Sequence, residues 1–400
     1  MISYQDALNI IQDFPFKLTT ELVAITNANG KVLAEDITAD RDLPPYDRVT
    51  MDGIAINYDA FEKGQRNYVI IETIGAGVPQ KTIAETGKCV QIMTGAIMPK
   101  GLDTIIRYED ITIEGNVATI NEESVERAQN IHFKGKDRKQ GEVVLKRGTE
   151  LGPTELIVAA AVGCSELSVY SMPKAAIITT GDELVDVHEI PDAHQIRRSS
   201  NYGVLALLKS WGIEAKQLHL KDNKELLFRE LYSLIESYDL LVITGGVSRG
   251  KFDFLPEVME ELNVQKHFHK VKQRPGKPFW FGSAPNGTTV FALPGNPVSS
   301  FVCANVYLKF WLRKSLGLNA NLGYVKLSND VTFKKPLTYF LECSVKSNVS
   351  GERIAETFKG NGSGDFANMT MADGFIVLPE EKNEFLAGEV YPYIPYRNSI

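Results

Sequence analysis

Between residues 173 and 310, short apolar runs alternate with amphipathic segments, and the runs end in glycine, an acid or an amide. "PKAAIITTGDEL" is one such run. "SSNYGVLALLKSWG" reads as a helix stopped by glycine, and "EAKQLHLKDN" as a strand ending in an acid and an amide. "KELLFRELYSLIES" is an amphipathic helix, "YDLLVITGGVSRG" the next strand, and a helix follows near "FLPEVMEEL" before "TTVFALPGNPVSSFVCANVYLKFWLRK". Strands apolar on both faces and separated by helices are the signature of a parallel, doubly wound α/β sheet. Ligands of an open sheet of this kind bind outside the carboxyl ends of the strands, so the fold already directs attention to four loops.

Those loops are "TTGDEL" (Thr179 to Leu184), "KDN" (Lys221 to Asn223), "TGGVSRGKFD" (Thr244 to Asp253) and "LPGNPVSS" (Leu293 to Ser300). A single loop of this kind is an ordinary turn; four on one sheet point to a site. Gly245 and Gly246 remove side chains where a phosphate must approach backbone amides, Ser248 adds a hydroxyl donor and Arg249 adds charge. Asp253 has no reason to face a phosphate unless a divalent cation lies between them. Mg²⁺ favours one or two carboxylates plus phosphate oxygens, and Glu183 and Asp222 on neighbouring loops complete the expected shell with Asp253. Asn296 suits an N-cap and Pro297 the first helical position, so a helix is expected to start there with its N–H groups and dipole directed at an anion. "KVKQRPGKPFWFG" gathers Lys270, Lys272, Arg274 and Lys277, which reads as an exposed basic strand or an anion clamp. His267 and His269 share one strand face; a solvated face is favoured over a metal site. There is no G-x-G-x-x-G or Walker A pattern, and no Ser-His-Asp order in a G-x-S-x-G context, which lowers dinucleotide, simple ATPase and hydrolase readings.

At 400 residues the chain is too long for one ordinary core, and about two to four domains are expected. Helical periodicity covers about residues 3–13. From about 50 to 139, short β-rich runs alternate with glycine turns, and after about 320 the pattern returns to short strands. The expected division is a discontinuous piece (1–48 with 140–172), a small β domain (49–139), an α/β domain (173–319) and a C-terminal β domain (320–400). The fold class is α/β plus β, multidomain, with a central, mostly parallel sheet. In the first β domain, Asp52 in "TMDGIA" and Thr94 in "MTGAIMP" are either turn residues or site residues. A net charge of -7 disfavours nucleic acid and membrane surfaces as partners, and no run of eighteen apolar residues suggests a span. Cys89, Cys164, Cys303 and Cys343 have no paired spacing, so reduced thiols and a cytoplasmic setting are expected.

"LPPYDRVTMDGIAI", "IMTGAIMPKGLDTII", "TTGDEL", "TGGVSRGKFD", "RPGKPFWFG" and "LPGNPVSS", in this order, resemble the molybdopterin molybdenumtransferases of the MoeA family, which includes the gephyrin E domain. The resemblance runs through essentially the whole chain. It implies a molybdopterin-binding fold for the α/β domain, and a homodimer whose active cleft is shared between the third domain of one subunit and the second of its partner. It implies Mg²⁺-dependent insertion of molybdate into adenylylated molybdopterin with release of AMP, and the molybdopterin adenylyltransferase as a possible partner. Carried over by position, it implies catalytic roles for Asp52, Thr94, Glu183, Asp222, Asp253 and Lys277. It implies substrate contacts for Asp137, Pro294, Pro297 and Ser363, to which the loop chemistry adds Gly245, Gly246, Ser248, Arg249, Arg274, Asn296 and Ser299 as expected contacts. The chain also departs from the family pattern. "GGVSVG" reads "GGVSRG", "QIRDSN" reads "QIRRSSN" with Arg198 introduced, and Glu342 stands where an arginine is linked to molybdate, with Arg249 or Arg274 a candidate replacement for that charge. The alternatives are a non-catalytic molybdopterin-binding or scaffold protein, the related adenylyltransferase, and a tungsten-inserting paralogue.

Overall fold

The computed structural model describes residues 1–247, 254–358 and 366–397. Its contacts divide the chain into two compact units. One comprises Met1–Leu22, Gly30–Val32 and Ser168–Ile400; the other comprises Val23–Asn29 and Leu33–Leu167.

In the first unit the α/β sheet has six strands in the spatial order Ala215–Leu220, Ala175–Thr180, Leu240–Thr244, Thr289–Leu293, Trp280–Ser283, Gln265–His269. The first four are parallel, Trp280–Ser283 runs antiparallel to both its neighbours, and Gln265–His269 forms the edge. Leu240–Thr244 is buried along its whole length, as a strand covered on both faces must be. Helix Lys224–Ser237 buries Leu227, Leu231, Leu234 and Ile235, a stripe at helical spacing, and packs on one face together with Leu255–Glu261. Ser200–Ser210 and Pro297–Cys303 pack against each other and against strands Ala175–Thr180 and Thr289–Leu293 respectively. From Ala175–Thr180 the chain crosses first to Ala215–Leu220 on one side and then to Leu240–Thr244 on the other. That reversal opens a crevice between the carboxyl ends of the two central strands.

The C-terminal strands of this unit form a second sheet. Thr338–Ser347 pairs with both Arg353–Thr357 and Gly374–Leu378, which closes five strands into a small barrel around Val325, Leu341, Ile376 and Phe385. Helix Tyr4–Ile11, capped by Ser3, lies in this unit too, with the Tyr4 ring edge-on to Tyr307 and Phe340. The second unit is built on another six-stranded sheet, Thr104–Arg107, Gly53–Ile56, Lys88–Ile92, Asn67–Ile74, Val117–Ile120, Ile111–Glu114, with an apolar cluster on each face. Beside that sheet Ile37–Thr38 pairs antiparallel with Val143–Leu145, and Pro153–Ala161 is the helix opened by proline.

His267 and His269 are half-buried rather than solvated. His267 stacks on Phe14 at 3.7 Å and bonds Ser283 Oγ at 2.8 Å, and burial pushes its pKa down. The His269 ring bonds the Val247 carbonyl at 3.0 Å. Among the described residues, no group of three or more His, Cys, Asp or Glu side chains is arranged to hold a metal, and no helix is long and apolar enough to cross a membrane. All four cysteines are free.

Candidate functional site

At the crevice lies a pocket of about 610 Å³. It is lined by all four of the strand-end loops singled out in the sequence. Thr180, Gly181 and Glu183 come from the first, Asp222 from the second, Thr244 to Val247 from the third, and Pro294 to Pro297 with Ser299 from the fourth. The loops meet backbone to backbone. A Cβ on Gly245, whose φ is +99°, would lie 2.6 Å from the Thr180 carbonyl oxygen; one on Gly295 would lie 3.4 Å from the Gly245 Cα. At Gly245 only glycine permits this approach, whereas at Gly295 the added atom would make ordinary contact. Asn296 caps its helix, its Oδ1 accepting the Ser299 N–H at 3.1 Å and the Ser299 hydroxyl at 3.2 Å. The Ser200 hydroxyl donates to the Gly295 carbonyl at 3.0 Å.

The chemistry of the pocket wall is mixed. Glu183 and Asp222 supply carboxylates, and the Asp222 N–H donates to Asp182 Oδ1 at 3.3 Å. Thr180 Oγ1 and Thr244 Oγ1, at the ends of the two central strands, are buried and have no hydrogen-bond partner among the described residues. Two carboxylates beside unsatisfied hydroxyls are the donor set that a hydrated divalent cation with phosphate oxygens accepts. Two cations that the sequence did not single out as site residues, Arg197 and Arg198, also line the pocket. Arg197 lies in, and Arg198 follows, the two-residue pairing of Leu184–Val185 with Ile196–Arg197, which is too short to leave a periodic signal in the sequence.

The other expected residues fall elsewhere. Lys277 is exposed and does not line the pocket, although its neighbour Pro278 does. Arg274 pairs in parallel with Tyr339 on the barrel strand that also carries Glu342, with its guanidinium 5.7 Å from the Tyr339 ring centroid and 5.8 Å from that of Phe333. Ser248, Arg249, Asp253 and Ser363 lie outside the described residues.

Asp52, Thr94 and Asp137 belong to the other unit. Asp52 and Thr94, two turn candidates in the sequence, form one contact: Asp52 Oδ1 accepts the Thr94 N–H at 2.6 Å. Asp137 accepts from His132 Nε2 at 2.9 Å, and Arg48 contacts His132 Nδ1 at 3.2 Å. Because guanidinium can only donate, that contact makes Nδ1 the acceptor and leaves Nε2 to carry the proton toward Asp137. The Thr94 N–H and then its hydroxyl hold the Asp52 carboxyl below the ordinary aspartate value of 3.8. A depressed folded pKa contributes stability that is present above the unfolded value and is lost as pH falls through the folded one. Carbonyl NMR is therefore expected to place the Asp52 midpoint below 3.8, with the Thr94 amide signal moving at the same midpoint; a midpoint at or above that value rejects the contact.

Family models match nearly the whole chain. The MoeA N-terminal region (domain I and II) covers residues 2–163, a probable molybdopterin binding domain covers 176–314, and the MoeA C-terminal region (domain IV) covers 324–396. A molybdopterin molybdenumtransferase of Synechocystis sp. is 38% identical over 396 residues, spanning 98% of this chain and 99% of the relative. The chain belongs to the MoeA family. A molybdopterin molybdenumtransferase of Staphylococcus epidermidis is 30% identical over 402 residues, spanning 98% of this chain and 95% of the relative. The crystal structure of the molybdopterin biosynthesis moeA protein from Pyrococcus horikoshii OT3 superposes with a TM-score of 0.85 at 28% identity, over 99% of this chain and 100% of that one. The matches extend across both units, so MoeA membership concerns the whole chain and not the α/β sheet alone.

Proposed function

We propose that this MoeA-family chain is a molybdopterin molybdenumtransferase that inserts molybdate into adenylylated molybdopterin and releases AMP. The observation that carries the reading is that Glu183 and Asp222 share one pocket with the packed glycine loops at the reversal of the strand order. A nucleotide-linked pterin needs such a place for its pyrophosphate. Mg²⁺ would be held by Glu183 and Asp222, with Asp253 as a further ligand, and when bound it offsets the charge of the pyrophosphate.

The chain's own groups do the rest. The absence of side chains at Gly245 and Gly246 lets phosphoryl oxygens approach the backbone there, and the N-terminus of the helix that Asn296 caps faces the same pocket. Pro294 and Pro297 hold the fourth loop in the shape that brings Gly295 against Gly245. Holding molybdate beside the dithiolene replaces an encounter in solution by a fixed geometry. Two Mo–S bonds form as one molybdate oxygen leaves with both thiol protons as water; cleavage of the P–O–P link consumes one water and yields AMP. Neither step changes a redox state, in keeping with buried Cys89, Cys303 and Cys343, whose thiols burial pushes up to about 12. In this reading the active form is a cytoplasmic homodimer in which Asp52, Thr94, Asp137, Lys277 and Ser363 complete the cleft.

The test is incubation of the purified chain with adenylylated molybdopterin, molybdate and Mg²⁺, following AMP and metal-bound pterin together. Both products are expected to rise in parallel and to stop when EDTA removes the cation. Retention of the pterin with no AMP would favour a non-catalytic binding protein.

A further inference from the structure

We infer that Arg198 is an oxyanion-binding residue of the pocket, preset by Asp186, and that it recognises a tetrahedral oxyanion of the substrates. The inference deepens the reading above and rests on it for the identity of those substrates. Phosphoryl and molybdate groups share the required chemistry.

Position is the first support. Arg198 lines the same pocket as Glu183 and Asp222. Its backbone is tied to the loop that carries Glu183, because the Ile196 N–H donates to the Glu183 carbonyl at 2.9 Å and the Arg198 N–H to the Val185 carbonyl at 3.0 Å. The residue therefore cannot drift away from the acids without unpairing that strap.

Preorganisation is the second. The guanidinium is ion-paired with Asp186, and the two side chains are only 21% and 24% exposed. Asp186 is itself anchored, accepting the Val187 N–H at 2.6 Å and lying 3.5 Å from the Tyr202 hydroxyl. Burial works to raise the Asp186 pKa, but the Val187 N–H and Arg198 outweigh it and hold the carboxyl below its ordinary value. A charged carboxylate thus fixes the orientation of the arginine before any ligand arrives.

Unused capacity is the third. Guanidinium presents five N–H donors in a rigid fork suited to oxyanions. Here Nε is buried and has no acceptor among the described residues. Asp186 does not use up the five donors, and because Nε is buried a ligand would meet the fork through the 21% of the side chain that is exposed. The charge also alters the electrostatics of the wall: Arg197 and Arg198 line the same pocket as Glu183 and Asp222, so the pocket offers groups for both a cation and an oxyanion.

Calorimetric titration of the full chain decides the matter, with Mg²⁺ and pyrophosphate in one arm and molybdate in the other. Arg198→Ala is expected to weaken binding roughly 10- to 100-fold in at least one arm, the range for a hydrogen bond to a charged group. The affected arm identifies the oxyanion. Asp186→Asn is expected to weaken the same arm several-fold, as a positioning residue does, with KM for the matching substrate rising more than kcat falls. Arg198→Lys guards against a folding defect, since it keeps a charge beside Asp186 but loses the planar fork; several-fold weakening is still expected. Affinities within twofold of the unsubstituted chain for both anions in both Arg198 variants would overturn the inference, as would the absence of binding of either anion to the unsubstituted chain. Failure of the AMP assay with anion binding still dependent on Arg198 would instead remove the enzymatic reading alone.

Discussion

Asp222→Ala is expected to lower AMP release by at least about 100-fold while leaving the melting temperature nearly unchanged, the scale on which a charge-stabilising group at a reaction centre acts. The physical ground is a separation of duties between adjacent residues. Asp222 lines the pocket, whereas Asn223 caps the following helix, its Oδ1 accepting the Leu226 N–H at 2.9 Å. Loss of the Asp222 carboxylate removes one of the three acids that would hold Mg²⁺ and leaves the cap intact. Asn223→Ala should do the reverse, costing about 1 kcal/mol of stability with turnover largely kept. Thermal unfolding and AMP release measured on the two variants give a crossed pattern that a general loss of structure cannot imitate. Turnover at the unsubstituted rate in Asp222→Ala would remove this acid from the mechanism. The same variant tests the dimer: if Asp52 serves the partner's cleft, mixing Asp222→Ala with Asp52→Ala protein regains activity that neither has alone.

The α/β sheet was legible because its strands are covered on both faces and its helices carry full apolar stripes; Leu240–Thr244 and Lys224–Ser237 fall where periodicity puts them. The loops at their ends were legible for the same reason, since a strand that stops at Gly245 and Gly246 declares its carboxyl end. The closure of the C-terminal barrel was not, because it depends on Thr338–Ser347 finding Gly374–Leu378 across the intervening chain, and no local pattern records a partner that far away. The contact between Asp52 and Thr94 was visible only as two separate turn signals. Arg198 illustrates the other limit. It was noticeable as a departure from the family motif, but its place in the pocket comes from a two-residue pairing and an ion pair with Asp186, neither of which has a period to read. Arg274 shows the converse: a basic cluster suggested an anion clamp, yet this side chain lies near the Phe333 and Tyr339 rings because its strand joins the barrel.

Gly245→Ala is expected to be strongly destabilising for the α/β sheet and its pocket. The added Cβ would stand 2.6 Å from the Thr180 carbonyl oxygen and 3.1 Å from Thr180 Oγ1. Neither contact can be relieved by a side-chain rotation alone, because the closer atom is backbone in a buried central strand. The φ of +99° adds strain for any L residue. Together these effects predict a loss of about 2–4 kcal/mol, more than a surface glycine of positive φ would cost. Gly287→Ala supplies that comparison. Its φ is +95° but its Cβ would meet nothing within 4 Å, so it should cost only the backbone strain, about 1 kcal/mol, and leave turnover alone. Activity should separate the two variants further. The clash at Gly245 pushes apart the loops that carry Glu183 and Pro294, and a displacement of about 1 Å at a positioned centre can cost on the order of 100-fold in rate. Denaturant unfolding and AMP release on both variants test the argument. If Gly245→Ala matched Gly287→Ala in both, the close approach of the loops would have no part in building the pocket, and the account of why this chain keeps paired glycines at the end of its central strand would fall with it.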